Sequence, residues 1–243
     1  MAVEELPSSE LGTKSYWDTS YATEIENFDS HGDPGEVWFG EEAAARVVAW
    51  LEDRETEGEL QYSNRLVDLG CGNGMLCVDL AQAGWRNVTG LDYSPGAVEL
   101  ARKVAARCGV EVEYRVADLL QAPPAGPESE EKFDIMVDKG TLDAISLSCS
   151  AAADRPRYLA NLAGGLTAGG LLLLTSCNWT EQELVRPAQI SCESTKSTGP
   201  HIFFSVFHID YEIKARATRK HSWLRFVSTV LNFWLAELRS ASP

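Results

Sequence analysis

Apolar and polar positions follow two periods along this chain. Ala44, Val47, Val48 and Leu51 recur at i, i+3, i+4 and i+7, which predicts an amphipathic helix over 41–53. Leu66, Val67 and Leu69 predict a short buried strand over 65–69, followed by a helix over 75–83. A second apolar run, Asn87-Val88-Thr89-Gly90-Leu91, predicts a strand closed by Asp92. Ser94-Pro95 supplies an N-cap and a first-turn proline for a helix to about Cys108. Val110 to Val116 alternates as a third strand and ends at Ala117-Asp118. A loop rich in Pro, Gly and Glu covers 123–131, and a fourth strand over 133–137 ends at Asp138. A helix over 156–166 then leads through Gly169-Gly170 to a fifth strand over 171–176. Strands alternating with helices of these lengths predict an α/β fold with a doubly wound, mainly parallel sheet. Ligands of such folds sit at the carboxyl ends of the strands.

The stretch Asp68-Leu69-Gly70-Cys71-Gly72-Asn73-Gly74 lies at one of those ends. Its glycines let the backbone turn sharply and approach a ligand closely. Asp92 stands 22 residues after Gly70, where a carboxylate accepts hydrogen bonds from ribose hydroxyls. The glycines fall as G-x-G-x-G, and Met75 occupies the sixth position, where the dinucleotide fingerprint has its third glycine. That spacing fits S-adenosylmethionine, which has no phosphate, better than a nicotinamide dinucleotide. Asp68, Gly70, Cys71, Gly72, Asn73, Gly74, Asp92 and Tyr93 are the candidate cofactor residues. Asp118 is placed to accept from an adenine amino group, with Leu119 and Tyr93 as apolar walls. Gly70, Asp92, Asp118, Asp138 and Asn178 all fall at or just past a strand end, so they are expected along one edge of the sheet. Cys71 and Cys177 read as small buried fillers rather than nucleophiles.

The net charge of −15 is unevenly spread. Residues 1–185 carry 13 Lys+Arg against 32 Asp+Glu, and residues 186–243 carry 8 against 4. An acidic body disfavours nucleic acid and favours a basic protein partner. The six cysteines form no C-x-x-C pair, which implies a reduced, intracellular protein. No 18-residue apolar run or signal pattern is present, so no transmembrane segment is expected.

Asp138-Lys139-Gly140-Thr141-Leu142-Asp143-Ala144 resembles a motif of seven-stranded, S-adenosylmethionine-dependent protein methyltransferases. Gly12-Thr13-Lys14-Ser15-Tyr16-Trp17-Asp18, Gly35-Glu36-Val37-Trp38-Phe39-Gly40 and Thr175-Ser176-Cys177-Asn178-Trp179-Thr180 narrow the resemblance to the elongation factor 1-alpha lysine methyltransferase 2 family. It covers roughly residues 11–185 and implies methylation of a lysine on elongation factor 1-alpha, a basic protein, in the cytoplasm and also the nucleus. By that analogy Asp138 orients the acceptor amine, with Asn178 and Trp179 beside the methyl group. Trp38 and Phe39, together with Trp179, then line an apolar channel. No metal is needed, and a monomer is expected. A small-molecule or nucleic-acid acceptor is the alternative, although Asp138-Lys139-Gly140-Thr141 replaces the Asn/Asp-Pro-Pro-Tyr of base methyltransferases.

The resemblance divides the chain into a methyltransferase domain, 1–185, with an acidic lead-in over 1–12, and a divergent basic tail, 186–243. Thr180-Glu-Gln-Glu183 forms a capping box that Arg186-Pro187 cuts short. The tail reads as an alternative ending, such as variant splicing produces, and raises a second alternative: a catalytically impaired binding protein. Without the family's closing antiparallel strands, the sheet is expected to expose an edge beside the fifth strand. The residues of 201–214 are the stretch available to replace a strand, and the sequence leaves that question open. A broad apolar face over 222–238 predicts a helix that packs poorly on the body.

Overall fold

The computed structural model describes residues 5–126 and 131–179, and the backbone of 204–208. Its strands are β1 (Arg65–Leu69), β2 (Asn87–Asp92), β3 (Glu113–Val116), β4 (Phe133–Lys139), β5 (Leu166–Ser176) and β6 (Phe204–His208). Its helices are α1 (Lys14–His31), α2 (Glu41–Thr56), α3 (Met75–Gln82), α4 (Pro95–Cys108), α5 (Thr141–Ser146) and α6 (Ala151–Gly165). The strands form one parallel sheet in the order β3-β2-β1-β4-β5-β6. Chain direction across the sheet reverses between β1 and β4, and a crevice opens there at the strands' carboxyl ends.

Strand alternation separates two cores. Leu66, Ile135, Val137, Leu171 and Leu173 join Val47 and Leu51 of α2, Leu80 of α3 and Leu100 of α4 on one face. Val67, Leu69, Met136, Leu172 and Leu174 meet Tyr158, Leu159 and Leu162 of α6 on the other. Each fully buried Leu or Val contributes about 1.5–3 kcal/mol relative to its exposed state, and the sheet is covered on both sides.

Helix α1 has no counterpart in the sequence reading, because none of its residues is fully buried and its apolar stripe is weak. Thr13 caps it by accepting the Tyr16 N–H at 3.3 Å, and Gly32 ends it in the left-handed conformation. Tyr21, Ile25 and Phe28 pack partly against the core, and Asp29 pairs with Lys103 of α4 at 2.7 Å. Helix α6 begins five residues before Pro156. Ser150 O accepts from Ala153 N and Asp154 N at 2.9 and 3.0 Å, so a turn forms ahead of the proline, which removes only its own ladder donor. Ser94 stands at the start of α4, but its side chain caps nothing there; its N–H instead donates to Asp92 Oδ1 at 2.9 Å.

The strand boundaries also shift. Pairing of β3 starts only at Glu113, while Val110 and Val112 pack sideways on the core. Strand β4 continues through Asp138 and Lys139, which pair with Leu174 and Thr175. Strand β5 starts at Leu166 and passes Gly169 with a register shift opposite Phe133 and Ile135. The edge expected to be open beside β5 is occupied: Leu172 to Ser176 pair in parallel with Phe204 to His208. The sheet therefore takes residues from beyond 185. The capping box at 180–183 and the helix expected over 222–238 lie outside the described residues.

Short α5 depends on buried acids. Asp138 accepts from Thr141 N at 2.8 Å, Leu142 N at 3.0 Å and Tyr158 OH at 2.7 Å. Asp143 accepts from Ser176 Oγ at 2.6 Å and Cys177 N at 2.8 Å, which ties α5 to the end of β5. Burial pushes the Asp138 carboxyl up to about 7, partly offset by the Tyr158 hydroxyl and the two backbone N–H groups.

Two outcomes follow. Asp138→Asn should lower stability by about 1–3 kcal/mol, since one of the two oxygens that accept from Thr141 N, Leu142 N and Tyr158 OH becomes a donating amide nitrogen. A raised carboxyl stabilises the fold most below its unfolded value of 3.8, so the advantage of wild type over this variant should shrink as pH rises towards 7 and level off above it. Urea unfolding of both proteins at pH 4, 5.5 and 8 reads that difference. At the sheet edge, Ser205→Pro and Val206→Pro form a second test. Successive N–H groups of a strand point to opposite sides, so at least one proline must break the β5–β6 ladder and lower the thermal midpoint by several degrees. Midpoints unchanged in both variants would remove β6 from the sheet.

Candidate cofactor and acceptor cleft

The turn after β1 is pinned to the end of β2. Leu91 O accepts from both Gly70 N and Cys71 N, at 2.7 and 2.8 Å, and Asp92 Oδ2 accepts from Gly72 N at 3.0 Å. The turn is therefore held in shape by backbone and carboxylate acceptors, with Asp92 bridging it to α4 through Ser94. Gly72 sits at φ 54°, and a Cβ there would lie 2.8 Å from Tyr21 OH of α1. Any side chain on Gly70 would collide with the Thr141 hydroxyl, which donates to Leu69 O at 2.6 Å.

A cleft of ≈ 370 Å³ opens above this turn. Its floor is Gly70, Cys71, Gly72 and Asn73, with Asp92 and Tyr93 from the end of β2 and Asp118 and Leu119 from beyond β3. Lys139, Gly140 and Thr141 close the β4 side. Tyr16, Trp17 and Tyr21 of α1 and Trp38 of the following strap form an aromatic wall. Trp17 meets Trp38 edge-on at 4.8 Å and stacks on Tyr21 at 6.0 Å. The strap is fastened at three points: Asn73 Nδ2 donates to Glu36 O at 3.1 Å, Glu36 N to Glu24 Oε1 at 3.2 Å, and Lys139 Nζ to Trp38 O at 2.9 Å.

The wall is acidic. Burial pushes the Asp92 carboxyl up to about 6, against the pull of the Ser94 and Gly72 N–H groups. Burial raises Asp68 to about 6 as well, partly offset by the Lys139 charge. Glu24 is raised and Lys139 lowered, again chiefly by burial. Asp118 accepts the Leu120 N–H on Oδ1 at 2.9 Å and lines the cleft beside Leu119. Among the described residues no cluster of His, Cys, Asp and Glu has the arrangement of a metal site.

These residues suit S-adenosylmethionine. Two acids at neighbouring strand ends offer acceptors for ribose hydroxyls and an adenine amino group. A glycine turn with no phosphate cradle leaves room for an amino-acid moiety.

Nine of the residues singled out from the sequence meet on the cleft: Trp38, Gly70, Cys71, Gly72, Asn73, Asp92, Tyr93, Asp118 and Leu119. Six others stand off it. Asp68 lies beneath the turn, taking the Cys77 thiol at 3.6 Å. Gly74 packs away from the cleft, where a Cβ would meet Ala101 and Tyr114 at 2.7 Å. Phe39 lies behind Trp38, stacked on it at 5.7 Å. Trp179 is buried, donating to Ser146 Oγ at 3.1 Å under the Arg155 guanidinium, and Asn178 N donates to Ser176 Oγ at 3.2 Å. Asp138, expected to orient the acceptor amine, is fully enclosed and its oxygens serve α5 and Tyr158. Its role in this geometry is to cap α5, because a carboxylate buried at a strand end must take the nearest donors. The α1 aromatics were not singled out as lining residues. The i, i+4 pair Trp17 and Tyr21 was the signal available.

A family model described as a methyltransferase domain matches residues 61–227. The chain is 38% identical over 185 residues to the EEF1A lysine methyltransferase 2 of Danio rerio, covering 75% of this chain and 76% of that one. It is 40% identical over 194 residues to the protein-lysine N-methyltransferase efm4 of Schizosaccharomyces pombe, covering 74% and 80%. In fold it is similar to the magnesium protoporphyrin IX methyltransferase of Synechocystis solved with bound SAM. The TM-score is 0.50 at 21% identity, over 71% of this chain and 85% of that one. At this identity and coverage the chain belongs to the methyltransferases, in the family of EEF1A lysine methyltransferase 2.

Proposed function

We propose that this protein transfers a methyl group from S-adenosylmethionine to a lysine of elongation factor 1-alpha. The observation that carries the reading is the pinned glycine turn with Asp92 and Asp118 on one cleft, in a chain 38–40% identical to protein-lysine methyltransferases. Bound there, S-adenosylmethionine supplies the electrophilic methyl group on its sulfonium. Asp92 takes the ribose hydroxyls, Asp118 the adenine amino group, and Leu119 and Tyr93 flank the base. The backbone of Gly70 to Gly72 faces the amino-acid moiety.

The acceptor lysine must arrive neutral. With an ordinary pKa of ~10.4, that costs roughly 4–5 kcal/mol at pH 7. An apolar channel lowers the cost by penalising the ammonium, and the neighbouring positive charge lowers it further. Trp38, Trp17 and Tyr16 supply that channel, exclude water, and offer ring faces to the ammonium before it loses its proton. The acidic body supports a basic protein acceptor over nucleic acid. A monomer acting in the cytoplasm, with the nucleus as a second site, completes the reading.

Three measurements test it. Incubation with labelled S-adenosylmethionine and a cell lysate should label elongation factor 1-alpha on one lysine, located by mass spectrometry; an unlabelled factor beside other labelled proteins would replace the acceptor. Gly72→Val should abolish cofactor binding, and Asp92→Asn should weaken it by about 1–3 kcal/mol. The ionised carboxylate is the stronger acceptor for ribose hydroxyls, so affinity should be level well above pH 6 and fall as pH drops through it, by no more than the Asp92→Asn loss in total. Calorimetry over pH 5–8 reads both effects. Finally, Trp38→Ala should cut kcat/KM for the protein acceptor while cofactor affinity changes by less than about threefold. Equal losses in both would assign Trp38 to the cofactor pocket.

A further inference from the structure

Two cations, Lys14 and Lys139, stand among the described residues lining the cleft. Lys14 is committed to Asp18, with both carboxylate oxygens within 2.8 Å. Lys139 is half-buried, and its ammonium has a single hydrogen-bond acceptor among the described residues, Trp38 O at 2.9 Å. It forms no direct ion pair there; Asp68 and Asp138 act on it only through their field. An ammonium carries three N–H donors, so two are left without an acceptor among the described residues, on a side chain that lines the cleft.

Its place in the sheet is specific. Asp138 is in register with Leu69, so the next residue of β4, Lys139, stands level with Gly70. Glu24, Glu36, Asp92, Asp118 and Asp154 make the rest of the wall rich in acceptors. A ligand that ends in an amino-acid zwitterion at Gly70 therefore meets acceptors nearly everywhere and one available cation. We propose that Lys139 binds the carboxylate of the cofactor's methionine moiety, while the same ammonium holds the strap through Trp38 O. This rests on S-adenosylmethionine being the cofactor. It makes Lys139 a sensor that joins occupancy of the cofactor site to the strap carrying Trp38.

Calorimetry with the full chain tests it, using S-adenosylmethionine and its decarboxylated analogue, which lacks only the carboxylate. Wild type should prefer the carboxylated ligand by about tenfold to a hundredfold, the range of one charge-assisted hydrogen bond. Lys139→Met, which keeps an unbranched stem, should lose that preference: affinity for S-adenosylmethionine falls to the level of the analogue, whose own affinity changes by less than about threefold. Lys139→Arg should restore part of the preference. Equal binding of both ligands by wild type overturns the assignment and requires no variant to fold. An equal loss for both ligands in Lys139→Met also overturns it, leaving Lys139 as a fastener of the strap. If wild type binds neither ligand, the cofactor reading itself fails, which is a separate outcome.

Discussion

One short contact organises the site: the Asp92 carboxylate accepts the Gly72 N–H from the neighbouring turn and the Ser94 N–H from its own chain. With Leu91 O taking Gly70 N and Cys71 N, the end of β2 holds the turn after β1 in a fixed shape. A glycine turn is entropically costly to order, and these acceptors remove that cost before any ligand arrives. The same carboxylate is buried, so its ionised form depends on the donors around it. Structure and ligand chemistry thus share one group.

The β4 and β5 ends repeat the device with a different purpose. Asp138 and Asp143 bury their charges on backbone and hydroxyl donors, and thereby hold α5 beside the cleft. Thr141 then reaches back to Leu69 O, joining α5 to the glycine turn. Four strand ends are linked in this way, so the cleft floor has few independent ways to move. Above that floor stands the wall made by α1 and the strap, where Phe39 adopts φ 64° and Trp38 packs on Gly140. Such strain in a non-glycine residue persists only where its surroundings enforce it.

Much of this was legible in the sequence, for reasons that can be named. Buried parallel strands read as apolar runs, so β1, β2 and β4 stood out, and the G-x-G-x-G turn with Asp92 located the cleft. Helix α1 did not, because it is half-exposed: Tyr21, Ile25 and Phe28 bury only part of their surface, and aromatic contacts and a surface ion pair complete its attachment. Asp138 was expected to orient the acceptor amine, by analogy with the family and because strand-end carboxylates share one edge. Which way each carboxylate turns depends on donors from distant residues, here Tyr158, and spacing cannot reveal that. Trp179 looked exposed to the channel for the same reason, while Ser146 and Arg155 draw it inward. The parallel pairing of β6 was undetermined because its partner lies some thirty residues away across an unrelated composition.

Amide hydrogen exchange, followed residue by residue with and without S-adenosylmethionine, tests the central claim most directly. If the β2 end pre-forms the cofactor turn, the Cys71 and Gly72 amides exchange slowly in the free protein, because Leu91 O and Asp92 already hold them. Saturating cofactor should slow them further and extend protection to the strap around Trp38. Free-loop exchange rates at Cys71 and Gly72 without ligand, or rates there that the cofactor leaves unchanged, would contradict the account.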